Sequence, residues 1–233
     1  MFHVKHGDIP PPPSAAHTMF GDRLEVADTY VRILAGAGIE RGLIGPGEVD
    51  RLWDRHVLNS GAVAELVADG EAVADVGSGA GLPGIPIALA RPGVRVMLIE
   101  PLLRRAEFLS EAIEELGLEV TVVRGRAEEK DVRRQVGELD VVTSRAVAAL
   151  DKLSRWCIPL VRPGGRMLAI KGERAEQEVT THRRVLESLG VSDVRVVKCG
   201  VNLLTPPATV VEARRGVRSS GRTRQPRPGR SAQ

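Results

Sequence analysis

The chain has 233 residues, with 33 Lys plus Arg against 30 Asp plus Glu and 42% apolar residues. That is too apolar for wholesale disorder and too short for two full domains. Two Cys and five His, neither clustered in sequence, exclude a disulfide scaffold and a structural zinc site of the usual spacing, and no metal is expected.

The net charge of +3 is uneven. Seven Arg and no acid occur from residue 214 onward, so residues 1–213 carry −4. The longest uncharged stretch, Val76 to Ala90, contains four Gly and two Pro, whereas a membrane-spanning helix needs ~20 mostly apolar residues. The N-terminus lacks the apolar centre of a signal peptide, and a cytoplasmic location is expected.

In chain order, residues 1–19 hold the run Pro10 to Pro13 and predict a disordered, extended arm. From Phe20 the pattern is helical, with Leu24, Ala27, Val31 and Leu34 at spacings of three and four. Further helices are predicted from about Pro46 to Leu58 and from about Ser60 to Val67, so residues 20–70 form a helical N-terminal cap. Then strand and helix signals alternate: Ala72 to Val76, Leu82 to Ala90; Val94 to Ile99, Leu103 to Leu116; Val120 to Val123, Ala127 to Val136; Leu139 to Thr143, Ala148 to Leu160. Such alternation predicts an α/β fold with a mostly parallel twisted sheet. Met167 to Ile170 is a fifth strand, followed by a helix with Val179, Leu186 and Leu189 on its apolar face. The last two strands, Val194 to Val197 and Thr209 to Ala213, have only a loop between them and are predicted antiparallel. The core is therefore placed at 71–214, and the Arg-rich residues 215–233 are predicted to be a disordered basic tail.

The sharpest signal is Asp75-Val76-Gly77-Ser78-Gly79-Ala80-Gly81-Leu82-Pro83-Gly84, at the end of the first strand and the start of a helix. Glycines there permit a tight turn and let a ligand approach bare backbone at a helix N-terminus. Gly79-x-Gly81-x-x-Gly84 also satisfies the dinucleotide fingerprint, but the acid-x-Gly-x-Gly-x-Gly order resembles the S-adenosylmethionine loop of Rossmann-like methyltransferases. The second strand ends at Glu100, near the ~20-residue offset at which an acid meets ribose hydroxyls. After the third strand, Arg126-Ala127-Glu128-Glu129 places acids where an adenine amino group could donate. Ser144-Arg145-Ala146 follows the fourth strand. Arg145 stays protonated and could orient an oxyanion bidentately, or could be a structural salt bridge. Lys171-Gly172 ends the fifth strand as a substrate contact or a solvated turn. Arg51, Arg55 and His56 lie on a cap helix unusually rich in polar groups.

Together these segments, with Arg55-His56-x-x-Asn59-Ser60, Glu100-Pro101 and Ile170-Lys171-Gly172, resemble the small-subunit ribosomal RNA methyltransferase G family, also called glucose-inhibited division protein B. The resemblance runs from about Leu24 to Arg214. It implies a Rossmann-like class I methyltransferase fold and methylation of a guanine N7 in a 16S rRNA loop, with S-adenosyl-L-methionine as donor. By position it implies cofactor contacts at Gly77, Leu82, Ala127, Glu128 and Arg145. Glu100 is the expected ribose acceptor and Gly79 a bare-backbone contact. RNA contacts are expected from Arg51, Arg55, His56 and Lys171, on a monomeric protein acting on the small ribosomal subunit. Guanine N7 has a lone pair and no proton to lose, so no general base is expected and no catalytic residue is named. Three other readings share parts of the pattern: a methyltransferase of another acceptor, a nicotinamide-dependent oxidoreductase, and a non-catalytic RNA-binding adaptor.

Overall fold

Alternate residues along each strand enter opposite cores, as a period of two demands. Val73 packs in one core while Ala72, Ala74 and Val76 pack in the other; Leu168 and Ile170 are likewise separated from Met167 and Ala169. The structure, a computed structural model, describes residues 9–145 and 147–217. Its strands are β1 (Ala72–Val76), β2 (Arg95–Glu100), β3 (Val120–Arg124), β4 (Leu139–Arg145), β5 (Val161–Lys171), β6 (Val191–Cys199) and β7 (Ala208–Arg215). They form one sheet in the order β3-β2-β1-β4-β5-β7-β6. β3 through β5 pair in parallel, and β7 runs antiparallel to both β5 and β6. The mostly parallel sheet and the antiparallel ending are both as predicted.

The strands outrun their apolar centres. The apolar pattern marks Met167 to Ile170, yet β5 begins at Val161, and β4 continues through Ser144 and Arg145. Ladder hydrogen bonds do not require apolar side chains, so pairing extends past the buried segment at the polar ends.

The helices around the sheet are α4 (Gly84–Ala90), α5 (Leu103–Leu116), α6 (Lys130–Val136), α7 (Leu150–Cys157) and α8 (Ala175–Ser188). Three start later than expected, among them α7 at Leu150 rather than Ala148. Gly77 to Pro83 form a loop before α4, and Ala127, Glu128 and Glu129 lie in a turn before α6.

Three α-helices, α1 (Ser14–Phe20), α2 (Leu24–Ile33) and α3 (Asn59–Gly61), belong to the N-terminal cap, with π-helical and 3-10 turns between and after them. The segment predicted as one helix from Pro46 to Leu58 is a 3-10 turn followed by the π-helix Leu52–Leu58. Arg166 in β5 ties the cap to the sheet, pairing with Glu71 at 2.7 Å and donating to the Leu66 carbonyl.

The N-terminal arm is the main correction. Pro13 is itself extended, but it leads directly into α1, whose Ala16 is fully buried. The Pro10 carbonyl accepts from Trp53 Nε1 at 3.1 Å. A proline just before the first helical turn sacrifices no helical hydrogen bond, and burial against the cap supplies the order that the local sequence lacks. Residues 1–8 and the tail from residue 218 lie outside the described residues.

Candidate functional site

The site forms at the carboxyl ends of the parallel strands, where β1 breaks into the glycine loop. Gly77 (φ +72°) and Gly79 (φ +56°) take left-handed backbone, which glycine adopts without steric cost. A Cβ at Gly77 would stand 2.8 Å from Val147 Cγ2, so the wall across the loop also demands glycine there. At Gly79 a Cβ would meet nothing nearer than the Gly77 carbonyl at 3.9 Å; this backbone faces open space.

Glu100 pins the loop. Its carboxylate is 2% exposed and accepts from the Gly79 N–H and the Leu102 N–H, each at 3.0 Å. Each carboxylate oxygen can accept more than one hydrogen bond, so Glu100 retains capacity toward the cavity it lines.

That cavity, about 500 Å³, is bounded by the glycine loop, Leu82, Glu100, Arg105, His56 and Arg145. Gly77, Pro101 and Val147 also wall an apolar slot of about 110 Å³ that continues to Ala127, Glu128 and Trp156. The two spaces therefore adjoin across these three residues. The larger mixes apolar surface from Leu43, Ile44, Leu82 and Val147 with the polar groups of His56, Glu100, Arg105 and Arg145, and the smaller is flanked by apolar groups with Glu128 exposed at its rim. This sequence of spaces fits a nucleoside bearing a polar amino-acid arm: apolar walls for the base, an acid for the ribose, bare backbone for the arm.

Beneath the loop, Asp75 is fully buried. Its Oδ2 accepts from the Gly84 N–H at 3.0 Å, while Oδ1 has no partner among the described residues. Burial pushes its carboxyl up to about 7, against the opposing effect of the Gly84 N–H and the Ser78 hydroxyl, and the Glu100 charge adds to the rise. An unfolded Asp titrates near ~3.9. Between about pH 4 and pH 7 the native chain thus holds a proton the unfolded chain has lost, and stability falls as pH rises through that window, then levels. Asp75→Asn is expected to flatten this slope, measured as denaturant midpoints at several pH values; an unchanged slope would refute the assignment to Asp75.

The cap closes the site through two contacts that no local motif announced. Tyr30 in α2, the sole tyrosine of the chain, is fully buried and donates its hydroxyl to the Ala80 carbonyl at 2.8 Å. Arg145 reaches across to the π-helix, donating to the His56 carbonyl at 2.9 Å, Ser60 Oγ at 2.7 Å and the Arg55 carbonyl at 2.7 Å. Its partners are neutral oxygens rather than a carboxylate, so it is neither the expected salt bridge nor an unengaged fork awaiting an oxyanion. A π-helical turn recurs at functional sites, and here the guanidinium satisfies two of its carbonyls.

The residues expected to meet RNA separate. His56 lines the main cavity, with Nε2 held by Glu48 Oε2 at 2.8 Å. Burial draws its imidazole below the ordinary histidine range, against the raising effect of the Glu48 hydrogen bond. Arg55 is 58% exposed and only loosely paired with Glu48, at 3.6 Å. Arg51 is exposed on the neighbouring 3-10 turn. Lys171 departs from expectation: its side chain is 10% exposed, and its ammonium is spent on Glu178 and the Ala148 carbonyl, both at 2.9 Å. A cation so enclosed and neutralised is not presented to a phosphate. Arg105, Val147 and Trp156 also line these spaces without a signal in the sequence, since an arginine early in a helix, an apolar residue after a strand and an aromatic near a helix end look alike in any α/β chain.

A family model for rRNA small subunit methyltransferase G matches residues 23–205. The chain is similar to the ribosomal RNA small subunit methyltransferase G of Mycolicibacterium smegmatis, at 66% identity over 98% of this chain and 97% of the relative. The Mycolicibacterium gilvum protein of the same name is 62% identical, covering 97% and 99% of the two chains. Among solved structures, a predicted O-methyltransferase from Agrobacterium tumefaciens superposes with TM-score 0.54 at 19% identity, over 68% of this chain and 81% of that one. The Methanococcus jannaschii TYW2 structure, solved with AdoMet, gives 0.51 at 21% identity, over 70% and 77%; at such identity these two speak for the fold alone. The sheet order and the near full-length likeness to named relatives lead to one conclusion: the chain belongs to the rRNA small subunit methyltransferase G family.

Proposed function

We propose that this chain transfers the methyl group of S-adenosylmethionine to N7 of a guanine in a 16S rRNA loop. Family membership makes it an S-adenosylmethionine-dependent rRNA methyltransferase. The observation that carries the site reading is the glycine loop pinned by Glu100 between a small apolar slot and a larger cavity into whose walls Glu100, Arg105, His56 and Arg145 are set. In this reading Gly77, Gly79 and Leu82 border the amino-acid arm of the donor, Glu100 accepts from its ribose, and Ala127 and Glu128 border its adenine. Arg145 acts by fixing the wall between cap and sheet.

When bound, S-adenosylmethionine supplies an electrophilic methyl on a sulfonium; the N7 lone pair forms the new C–N bond as the C–S bond breaks, its electrons staying on sulfur. No proton leaves N7, so the protein's work is alignment and exclusion of water. The buried loop and the cap supply both: backbone N–H groups and Glu100 hold fixed directions, and Tyr30 and Arg145 keep the cap on the site. Arg51 and Arg55, exposed on the cap, meet the RNA backbone. The protein works as a cytoplasmic monomer on the small ribosomal subunit. Among the described residues no helix is long and apolar enough to cross a membrane.

The test is methyl transfer from labelled S-adenosylmethionine to 30S subunits lacking the modification, with the product nucleoside identified by mass. Labelled 7-methylguanosine is the expected product. Intact cofactor binding with no label in 16S rRNA would send the search to another acceptor.

A further inference from the structure

A second cavity, about 390 Å³, lies beside the first at the ends of β4 and β5. Arg145 lines both, so it forms a wall common to the two spaces. The remaining wall has two characters. Ala148, Leu153 and Ile170 give it apolar surface, and Asn59 and Arg55 bring polar groups from the cap. The volume is within the range of small-ligand pockets.

Two of the three cations that line this cavity are already engaged. Lys171 pairs with Glu178, and Arg145 donates to three oxygens of the cap. A cavity whose interior cations are satisfied suits a neutral, flat ring better than an anion. The Asn59 carboxamide differs: it has no hydrogen-bond partner among the described residues. Its NH2 group can donate to O6 while its carbonyl oxygen accepts from N1–H on the Watson–Crick edge of guanine. Arg55, exposed and loosely held, stands where a nucleotide entering the cavity would carry its phosphate.

Gly172 completes the outline. A Cβ there would meet nothing within 4 Å, and this residue also lines an open groove running along the start of α8 past Arg174 and Gln177. The missing side chain keeps the second cavity open to that groove.

We infer that this second cavity is the acceptor-base pocket. The target guanine, turned out of its RNA stack, enters between Asn59 and Gly172 with its Watson–Crick edge on the Asn59 carboxamide and N7 toward the first cavity. An atom inside a stacked loop is out of reach of an enclosed active site, and enzymes that modify bases extrude them into such pockets. Arg145 then has a specific purpose: its three hydrogen bonds hold it as a fixed partition that sets how far the ring can advance. This assignment rests on the function proposed above and adds the place and edge of base recognition.

The experiment compares the wild type, Gly172→Phe and Asn59→Ala in the 30S methylation assay, with S-adenosylhomocysteine affinity measured by calorimetry on each. Gly172→Phe places a ring in open space and is expected to lower kcat/KM for 30S at least 100-fold while leaving S-adenosylhomocysteine affinity within twofold. Asn59→Ala is expected to lose at least tenfold, mainly through KM for the RNA substrate. If Gly172→Phe binds S-adenosylhomocysteine as the wild type does, that variant decides; if it does not fold or bind, Asn59→Ala decides in its place. A deciding variant that methylates at the wild-type rate overturns the pocket and leaves the proposed function standing. A wild type that places no methyl on 16S guanine overturns the proposed function, and the pocket with it.

Discussion

Replacing Arg145 with alanine is expected to abolish methyl transfer and lower the thermal midpoint by roughly 6 to 12 °C. The side chain donates to the Arg55 and His56 carbonyls and to Ser60 Oγ, and these bonds cross from β4 to the cap. A hydrogen bond to a charged group contributes about 1.5 to 3 kcal/mol, and water recovers part of that when the partner is removed. A net loss of about 3 kcal/mol is the reasonable expectation, and in a chain of this size each kcal/mol moves the midpoint by ~2 to 4 °C. Activity falls further than stability because the π-helix carrying Arg55 and His56 loses its anchor, and a small misplacement of a positioning element costs orders of magnitude in rate. Arg145→Lys is expected to rescue little: one ammonium cannot reproduce the planar fork that spans three acceptors. Scanning calorimetry checks the first claim, and a midpoint within 1–2 °C of the wild type would show that the cap is held by other contacts.

Gly79→Asp is expected to weaken S-adenosylmethionine binding at least 100-fold while the protein remains folded. The Gly79 N–H already points at Glu100, 3.0 Å from Oε2. A second carboxylate beside it would repel Glu100 and enter the space in which the donor's arm is proposed to lie. The fold itself tolerates the change: the Cβ position is clear, and Asp adopts a left-handed φ at a cost of only ~1 kcal/mol. Gly79→Ala separates the two effects, since it carries the backbone cost without the charge, and a loss of no more than tenfold is expected. Calorimetric titration with S-adenosylmethionine settles it; unchanged affinity in Gly79→Asp would place the arm elsewhere.

How much of this was legible beforehand depended on how far apart in the chain the interacting residues lie. The short apolar runs gave the strands, the three-and-four spacing gave the first helix, and the short final connection gave the antiparallel edge, because each follows from neighbours in sequence. The glycine loop and Glu100 were legible for the same reason, since a turn after a strand and an acid at the end of the next strand are local features of a βαβ unit. Element ends were not, because ladder pairing and loop shape override local apolarity: Ala127 and Glu128 sit in a turn before α6, not in its first turn.

The amino-acid sequence, taken alone, determined the fold class, the family and the position of the cofactor loop, because short-range pattern and motif spacing suffice for these. Tertiary structure decided which polar groups are available and which are spent. Lys171 and Arg145 both looked free to meet an oxyanion, but Glu178 neutralises one and the cap carbonyls hold the other. The proton held by buried Asp75, the Tyr30 bond to the loop and the helical order of α1 follow the same rule. Desolvation and hydrogen-bond satisfaction depend on what surrounds a group in space, and those neighbours come from segments that the chain brings together only when folded.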